Sequence, residues 1–399
     1  MGTEEAKGFF RKTFGRPPAR VVKAPGRLEL LGNHTDYNGG LVMAVAVDKY
    51  IYFAATPRND AQVELVTTAF PGKEQFYLDR IEKNPAAPWA NYVKGVLLAL
   101  RERGIHFTGF NGAIHGTIPF GAGLSSSAAL EMATALAVRE LFPYRLNEHG
   151  PGAPPERGPD GRLPALSPAE KMRIAQAGLA AESRFVGVNC GLLDQVSSLF
   201  GKSGQVVQFD CLHGTVQHDP LPPGASLVVA DSAVKHDLSA GQYNQAREHC
   251  ESAARKLGVE FLRFVDPPRL QPNQGKLTKR EYDCAFHIVG ENQRVVFGER
   301  ALREGDVHQF GQYMLQSHAS SRDYFLNSTP ELDALVEIAQ GIEGCFGARL
   351  TGGGFGGSTI NLVRAGAVEE FQRRVAEEYF ARLKIRTEPW VARVADGAG

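Results

Sequence analysis

The 399-residue chain is short of several things, and each shortage excludes a class. An excess of one charge is missing: 44 basic residues face 44 acidic ones, for a formal net charge of +0. No overall positive field exists to draw in a nucleic-acid backbone or an anionic membrane, so neither partner is expected. Cysteine is sparse. The five, Cys190, Cys211, Cys250, Cys284 and Cys345, are odd in number and widely spaced, which suits neither a disulfide framework nor C-x-x-C zinc ligation. Long apolar runs are absent too: residues 41–47 form the longest, far below the roughly 18 residues needed to span a bilayer. Residues 1–6 show neither the basic nor the apolar region of a signal peptide, and Ala6 stands where a myristoylation signal needs Ser or Thr. A cytoplasmic protein, monomeric or weakly homo-oligomeric, is the expectation. Nucleotide-binding signatures of the commonest kinds fail as well. Gly201-Lys202-Ser203 lacks the first glycine of a Walker loop, Val196 standing there, and the H-R-D and D-F-G motifs of protein kinases do not occur.

What is present is enough apolar residue, 43%, to bury a large core, in a chain whose length suggests two or three domains. Strand-like runs at 50–55, 62–66 and 205–209 alternate with helix-length stretches, so the fold is mixed α and β. Residues 147–168, rich in Pro and Gly, read as a surface loop inserted between two helices. A Pro-rich break at 218–224 is the expected domain junction, dividing the chain into 1–218 and 219–399.

Three glycine-rich segments carry the chemistry. The first runs from Ala24 to Gly40 and packs Arg27, Glu29, Asn33, His34, Asp36 and Tyr37 between glycines. It is either a plain polar turn or a mixed donor and acceptor set suited to a polyhydroxylated ligand. The second, Gly121-Ala122-Gly123-Leu124-Ser125-Ser126-Ser127-Ala128, precedes a helical pattern of Leu130, Ala133, Ala137 and Leu141. That arrangement is either a serine-capped core helix or an anion site, where exposed N–H groups and the helix dipole favour phosphate and a serine hydroxyl can ligate Mg²⁺. The third, Arg349 to Ser358, formally contains G-x-G-x-x-G at Gly352, Gly354 and Gly357. It leads into a strand-like run at 358–363, however, whereas a dinucleotide fingerprint must open a helix. It reads instead as a turn permitting close backbone approach.

Two acids complete the set. Ser167-Pro168-Ala169-Glu170 is a capping box with Pro in the first turn; the apolar face Met172, Ala175, Leu179 extends one turn to Glu182. A carboxylate continuing a buried face must be paired or metal-bound unless it ends the helix in solvent. Asp194 follows in Leu192-Leu193-Asp194-Gln195, either as a helix-cap acid or as part of the same site.

Taken in order, and together with Trp89-Ala90-Asn91-Tyr92-Val93-Lys94-Gly95-Val96, Cys190-Gly191-Leu192-Leu193-Asp194-Gln195 and Tyr243-Asn244-Gln245-Ala246-Arg247-Glu248, these segments resemble the GHMP sugar kinases, and within them the galactokinases, from about residue 9 to residue 363. The resemblance implies a two-domain α+β fold, with a ribosomal-S5-domain-2-like N-terminal half, a ferredoxin-like C-terminal half and the active site in the cleft between them. It implies transfer of phosphate from ATP, with Mg²⁺, to the anomeric hydroxyl of galactose. On this resemblance Asp194 is the base and Arg27 orients it and steadies charge. Asn33, His34, Asp36, Gly191 and Tyr243 contact the sugar. Trp89 and Asn91 line the nucleotide pocket. Gly121, Gly123, Leu124, Ser125, Ser126, Ser127 and Ala128 form the phosphate loop, and Ser126, Ser127 and Glu182 hold the metal. The chain departs from the pattern where galactokinases read Gly-Glu-His-Thr-Asp-Tyr, the glutamate reaching the C6 end of the sugar: Asn33 replaces that glutamate, and Glu29 replaces an asparagine four positions earlier. Asn33 can accept a hydrogen bond from a C6 hydroxyl, and it would not repel a C6 carboxylate. Galactose and a C6-altered relative such as galacturonate both remain open. A non-catalytic sugar- and ATP-sensing regulator is the third reading, although such relatives are damaged in the second glycine motif, which is whole here.

Overall fold

The computed structural model describes residues 2–119, 121–148, 150–235 and 239–399. Helix α1 (Gly2–Phe14) leads into β1 (Arg20–Leu31), β2 (Leu41–Pro57), β3 (Gln62–Thr67) and β4 (Lys73–Tyr77). Then come α2 (Pro88–Glu102), β5 (Phe110–Gly116), α3 (Ser126–Leu141), the short hairpin β6 (Arg145–Asn147) and β7 (Gly150–Gly152), α4 (Pro168–Ala180), α5 (Leu193–Phe200), β8 (Gln205–Asp210) and β9 (Thr215–Pro220). The sheet runs β4-β3-β5-β2-β8-β9, with β1 paired antiparallel to β2. Strand β2 is buried along most of its 17 residues because β1, β5 and β8 all pair with it and α3 and α5 pack against it.

The second half comprises β10 (Ala225–Lys235), α6 (Ser239–Lys256), α7 (Pro267–Leu270), α8 (Lys279–Glu304), α9 (Val307–Ser320), α10 (Pro330–Gln340), β11 (Cys345–Leu350), β12 (Gly356–Arg364), α11 (Val368–Leu383) and β13 (Trp390–Ala392). Its sheet runs β11-β12-β10-β13, every neighbouring pair antiparallel. This is the strand order of a ferredoxin-like β-α-β-β-α-β unit with extra helices in its first crossover.

The chain leaves the first sheet at Pro220 and enters the second at Ala225, but the halves are not independent. Leu227 and Val229 of β10, Leu302 of α8 and Phe310 of α9 join the apolar cluster that holds Leu28, Leu31 and Val42. Helix α8 comes so close to β1 that a Cβ on Gly298 would sit 2.6 Å from Leu31 Cδ1. The C-terminal tail returns to the first half, where Gly399 and Lys23 exchange backbone hydrogen bonds of 3.1 and 3.2 Å.

Capping explains where several helices start. Ser167 accepts from the Glu170 N–H while Glu170 reaches back to the Ser167 N–H, and Thr278 and Glu281 do the same for α8. The insertion at 147–168 lies between α3 and α4, and it begins within the β6–β7 hairpin. Arg139 of α3 donates to the Pro164 carbonyl at 3.0 Å, tying the rest of it down.

Candidate active site

The second glycine segment forms a tight loop. Gly121 and Gly123 sit at φ 72° and 74°, and Ser125 also adopts a left-handed φ of 55°, a conformation unfavourable for a residue with a Cβ and found where structure over-determines it. Helix α3 begins at Ser126, so its unpaired N–H groups and positive dipole end face the loop. Leu124 and Ala128 turn their side chains into the core. The Ser125 hydroxyl does not cap the helix. It donates to Asp194 Oδ2.

Asp194, in the first turn of α5, is thereby held from two sides. Arg27 reaches across from β1 with Nε and Nη2, each 2.8 Å from Oδ1, while its Nη1 donates to the Gly123 carbonyl at 2.5 Å. Arg27 is buried and Asp194 is partly open, so the carboxylate is fixed in orientation but still accessible. It opens onto a polar cavity of about 180 Å³ that is also lined by Arg27, Glu29, His34, Asp36, Gly191 and Tyr243.

The expected sugar residues divide into those that present polar atoms and those already committed. Asp36 faces Gly191, where a Cβ would lie 2.1 Å from its Oδ2, so only glycine leaves room there. Loss of solvent, then the nearby Asp194 and Glu29 charges, push the Asp36 carboxyl up to about 7. His34 has a left-handed φ of 60°. Its Nδ1 lies 2.9 Å from the Tyr37 hydroxyl and its Nε2 3.0 Å from the Gly353 carbonyl. Burial drives its pKa down to about 4, so the ring is neutral, donating to Gly353 and accepting from Tyr37. The Tyr243 ring packs at 4.9 Å from that of His34 and 5.8 Å from that of Tyr37. Asn33, expected to meet the sugar, does line this cavity, but its amide is already engaged by protein partners. Its Nδ2 donates to Glu29 Oε1 and the Gly352 carbonyl, and its Oδ1 accepts from Asn327 and Ser321.

Glu182 lies in a π-helical turn, residues Ala181–Val186, that continues α4; such turns often mark functional sites. Gln195 donates to both Glu182 Oε2 and Glu131 Oε2 at 2.9 Å. Burial and the Asp194 charge raise Glu182 to about 7, opposed by hydrogen bonds from Cys190, Ser127 and Gln195. Glu131 is wholly buried, and burial followed by the Glu182 charge raises it well above the usual carboxylate range.

Ser126 and Ser127 line a second, more apolar cavity of about 350 Å³, walled by Ile51, Phe70, Trp89, Tyr92 and Leu130. Because Ser127 also bonds Glu182, the first turn of α3 stands between the two cavities. Trp89 lines this space. Asn91 does not: both ends of its amide bond the Asn84 backbone, at 2.8 and 3.1 Å, closing the loop before α2.

The third glycine segment lies against the phosphate loop. A Cβ on Gly352 would sit 2.9 Å from the Gly123 carbonyl, and one on Gly123 would sit 3.0 Å from the Thr351 carbonyl. The segment runs into β12 and opens no helix.

Several supports went unread in the sequence. Glu291 of α8 accepts the Gly32 and Asn33 N–H groups at 2.9 Å each. Arg349, fully buried, pairs with Glu29 at 3.3 Å. Thr351 accepts from the Glu29 N–H at 2.8 Å. All three lie more than 250 positions from their partners, with no local pattern to announce them.

Models of known families match this arrangement in parts. The GHMP kinase N-terminal domain matches residues 91–150, and the GHMP kinase C-terminal domain matches 299–381. The fold is that of a GHMP kinase, with two α+β domains. The galactokinase galactose-binding signature matches residues 8–57. Galactokinase of Roseiflexus sp. (strain RS-1) is 39% identical over 404 residues, spanning 100% of this chain and 97% of that protein. Human galactokinase is 37% identical over 402 residues, spanning 99% and 95%. The crystal structure of Lactococcus lactis galactokinase complexed with galactose superposes with a TM-score of 0.89 at 29% identity, covering 99% of each chain. The chain belongs to the galactokinase family of sugar kinases.

Proposed function

We propose that this enzyme transfers the terminal phosphate of ATP to the anomeric hydroxyl of galactose, giving galactose 1-phosphate. One observation carries the reading: the Asp194 carboxylate, held by Arg27 and Ser125, opens into a small polar cavity whose lining acids Asp194 and Glu182 bond Ser125 and Ser127 at the start of α3. ATP suits the apolar cavity beside Trp89, its phosphates reaching the N–H groups of the α3 turn. The sugar suits the polar cavity, with its reacting hydroxyl at Asp194. There Asp194 accepts the hydroxyl proton, and Arg27 steadies the charge that develops between the reactants.

The residues around the α3 turn fit Mg²⁺. Among the described residues no group of three or more His, Cys, Asp or Glu side chains is placed to enclose a metal unaided. Glu182 with the Ser126 and Ser127 hydroxyls instead offers the sparse oxygen set that Mg²⁺ takes alongside substrate phosphates. A Mg²⁺ held there would supply positive charge to offset that of the phosphates.

Galactose is favoured over galacturonate by charge. The sugar cavity already gathers Glu29, Asp36, Glu182 and Asp194 around the single cation Arg27; burial and mutual repulsion raise Asp36 and Glu182 to about 7, and a sugar carboxylate would add one more acid to that crowded set. The intact second glycine motif and the paired Asp194 favour turnover over mere sensing. Free thiols at all five cysteines suit the cytoplasm, and among the described residues no helix is long and apolar enough to cross a membrane.

The test is ADP release with ATP and Mg²⁺ across galactose, galacturonate, N-acetylgalactosamine, glucose and arabinose. The expected result is fastest turnover of galactose with the product phosphorylated at the anomeric carbon. A different preferred sugar would replace galactose in the reading, and ADP release with none of them would leave a binding protein.

A further inference from the structure

The committed state of Asn33 leaves a question about who reads the end of the sugar remote from Asp194. Both Asn33 amide hydrogens are spent, on Glu29 Oε1 at 3.0 Å and the Gly352 carbonyl at 2.8 Å. Both lone pairs of Oδ1 are spent too, on Asn327 Nδ2 at 2.8 Å and Ser321 Oγ at 3.4 Å. Asn33 is therefore a bracket for its neighbours.

Glu29 is the neighbour it holds. Oε1 of Glu29 receives Asn33 and Arg349. Oε2 receives no donor from the described residues, yet it is not among the sealed, unpartnered atoms, and the side chain lines the polar cavity. The backbone is clamped as well: Thr351 Oγ1 takes the Glu29 N–H at 2.8 Å and donates to the Glu29 carbonyl at 3.2 Å. Glu29 is thus immobilised from three sides with one carboxylate oxygen left over.

Its position along β1 gives that oxygen a role. Arg27 and Glu29 pair with Ala46 and Ala44 in regular register, so their side chains leave the same face of β1 about 7 Å apart. Arg27 grips Asp194, which marks the reacting hydroxyl. Glu29 stands about 7 Å further along β1 from Arg27, a spacing comparable with the width of a pyranose ring, so a sugar with its reacting hydroxyl at Asp194 would turn its C4 and C6 end toward Glu29.

We propose that Glu29 is the residue that sets specificity at the far end of the sugar, its Oε2 accepting a hydrogen bond from the C4 or C6 hydroxyl. Asn33 and Arg349 act as positioning residues for it. Burial raises the Glu29 carboxyl while Arg349, Arg27 and the Asn33 amide oppose that rise; ionised among those donors it only accepts, so this end of the site demands a hydroxyl and rejects either its absence or a carboxylate in its place. The proposal rests on the galactokinase reading and deepens it.

The test compares kcat/KM for galactose, 4-deoxygalactose and 6-deoxygalactose in the wild type and in Glu29→Gln. The wild type should lose about 100-fold on at least one deoxy sugar, as removing a partner from a buried charged acceptor does. In Glu29→Gln, galactose should fall 10–100-fold, chiefly through KM, while the discriminated deoxy sugar changes little, so that the ratio between them collapses. A purely structural role beside Arg349 would lower all the sugars equally and leave the ratio intact, which overturns the proposal. So does a wild type that turns over both deoxy sugars as well as galactose. If Glu29→Gln fails to fold, Glu29→Asp carries the same comparison, since it keeps the charge beside Arg349 but withdraws it from the cavity. Failure of the wild type to phosphorylate galactose at all is a different result and removes the parent reading.

Discussion

Replacing Asp194 with Asn separates chemistry from architecture at the centre of the site. The alanine variant does not: it strips the carboxylate from Arg27, which is 5% exposed, and leaving a buried charge unpaired costs about 3–5 kcal/mol. Asparagine keeps an oxygen at the Oδ1 position for Arg27 Nε and Nη2. It places an amide where Oδ2 now accepts from Ser125, so that hydroxyl must turn its hydrogen aside and accept instead of donate. Arg27 loses its counter-charge but keeps its acceptor, which holds the cost to about 1–3 kcal/mol, small against a typical stability of about 5–15 kcal/mol. The fold should survive. Catalysis should not, because the amide cannot take the proton of the sugar hydroxyl. Loss of a positioned base lowers the rate by about 10²–10⁴-fold, a barrier increase of about 2.7–5.4 kcal/mol. The assay is ADP release at saturating ATP and galactose, with calorimetric galactose binding and circular dichroism alongside. The expected variant is folded, binds galactose within a few-fold of the wild type and has lost at least two orders of magnitude in kcat. A folded variant with kcat within tenfold of the wild type would refute the assignment of Asp194 as base.

Three further outcomes follow from the same geometry. Glu182→Gln should shift the Mg²⁺ requirement to higher concentration, by about tenfold or more, consistent with losing one of the few carboxylates such a site uses; a titration of rate against Mg²⁺ identical to that of the wild type would remove Glu182 from metal binding. Glu291→Ala strands the Gly32 and Asn33 N–H groups and Arg294, so urea denaturation should show a loss of about 3–5 kcal/mol, and a loss below about 1 kcal/mol would contradict the bracing role. Asp36, raised from 3.8 to about 7, binds a proton in the folded state at pH values where the unfolded chain has released it, so its contribution to stability falls as pH rises from about 4 to 7. His34 and His287, lowered to about 4 and about 3, act in the opposite sense. The quantity to read is therefore the stability of Asp36→Asn minus that of the wild type, which should grow by up to about 4 kcal/mol over that interval. A difference flat with pH would show that Asp36 titrates normally.

Much of the site was legible because its parts are local. Gly121, Gly123 and the serines announce a loop feeding a helix, and α3 begins at Ser126. The strand-like run after Gly357 argued against a dinucleotide fingerprint, and β12 occupies it. Helix α4 starts at Pro168 as its capping box requires, but the inner face was misread by about one position. Ile174, Ala177 and Gly178 are buried with Ala175, while Met172 is half-buried, packed against the core's edge where an outer groove begins. Gly178 shows why: a Cβ there would lie 2.4 Å from Met132 Cε and 3.0 Å from Glu131 Oε2, a neighbour that periodicity cannot reveal. Asn91 sat within a correctly read segment, yet it bonds back to Asn84. Ser125 sat in a loop read for phosphate, yet its hydroxyl serves Asp194. In each case the residue type fitted the expected role, and a competing partner outside the motif determined where the atoms went.

The same competition explains the character of the first glycine segment. Its polar residues form a dense string, but many of their bonds run to the second half of the chain: Asn33 to Gly352 and Asn327, His34 to Gly353, Glu29 to Arg349 and Thr351, and the Gly32 and Asn33 N–H groups to Glu291. These bonds cross a seam that is also apolar, since Leu31 and Phe310 share one core cluster. Arg27 adds a further link by gripping Asp194 and the Gly123 carbonyl together, while Gly352 presses on that same carbonyl from the other side. Sugar segment, phosphate loop and third glycine turn therefore meet at one backbone oxygen. A shift of the second half against the first would disturb the sugar cavity and the phosphate loop at once, because neither is built from one half alone. On the proposed assignment of the two cavities, their walls are joined through this backbone contact, and glycine at 123 and 352 is what lets those backbones meet.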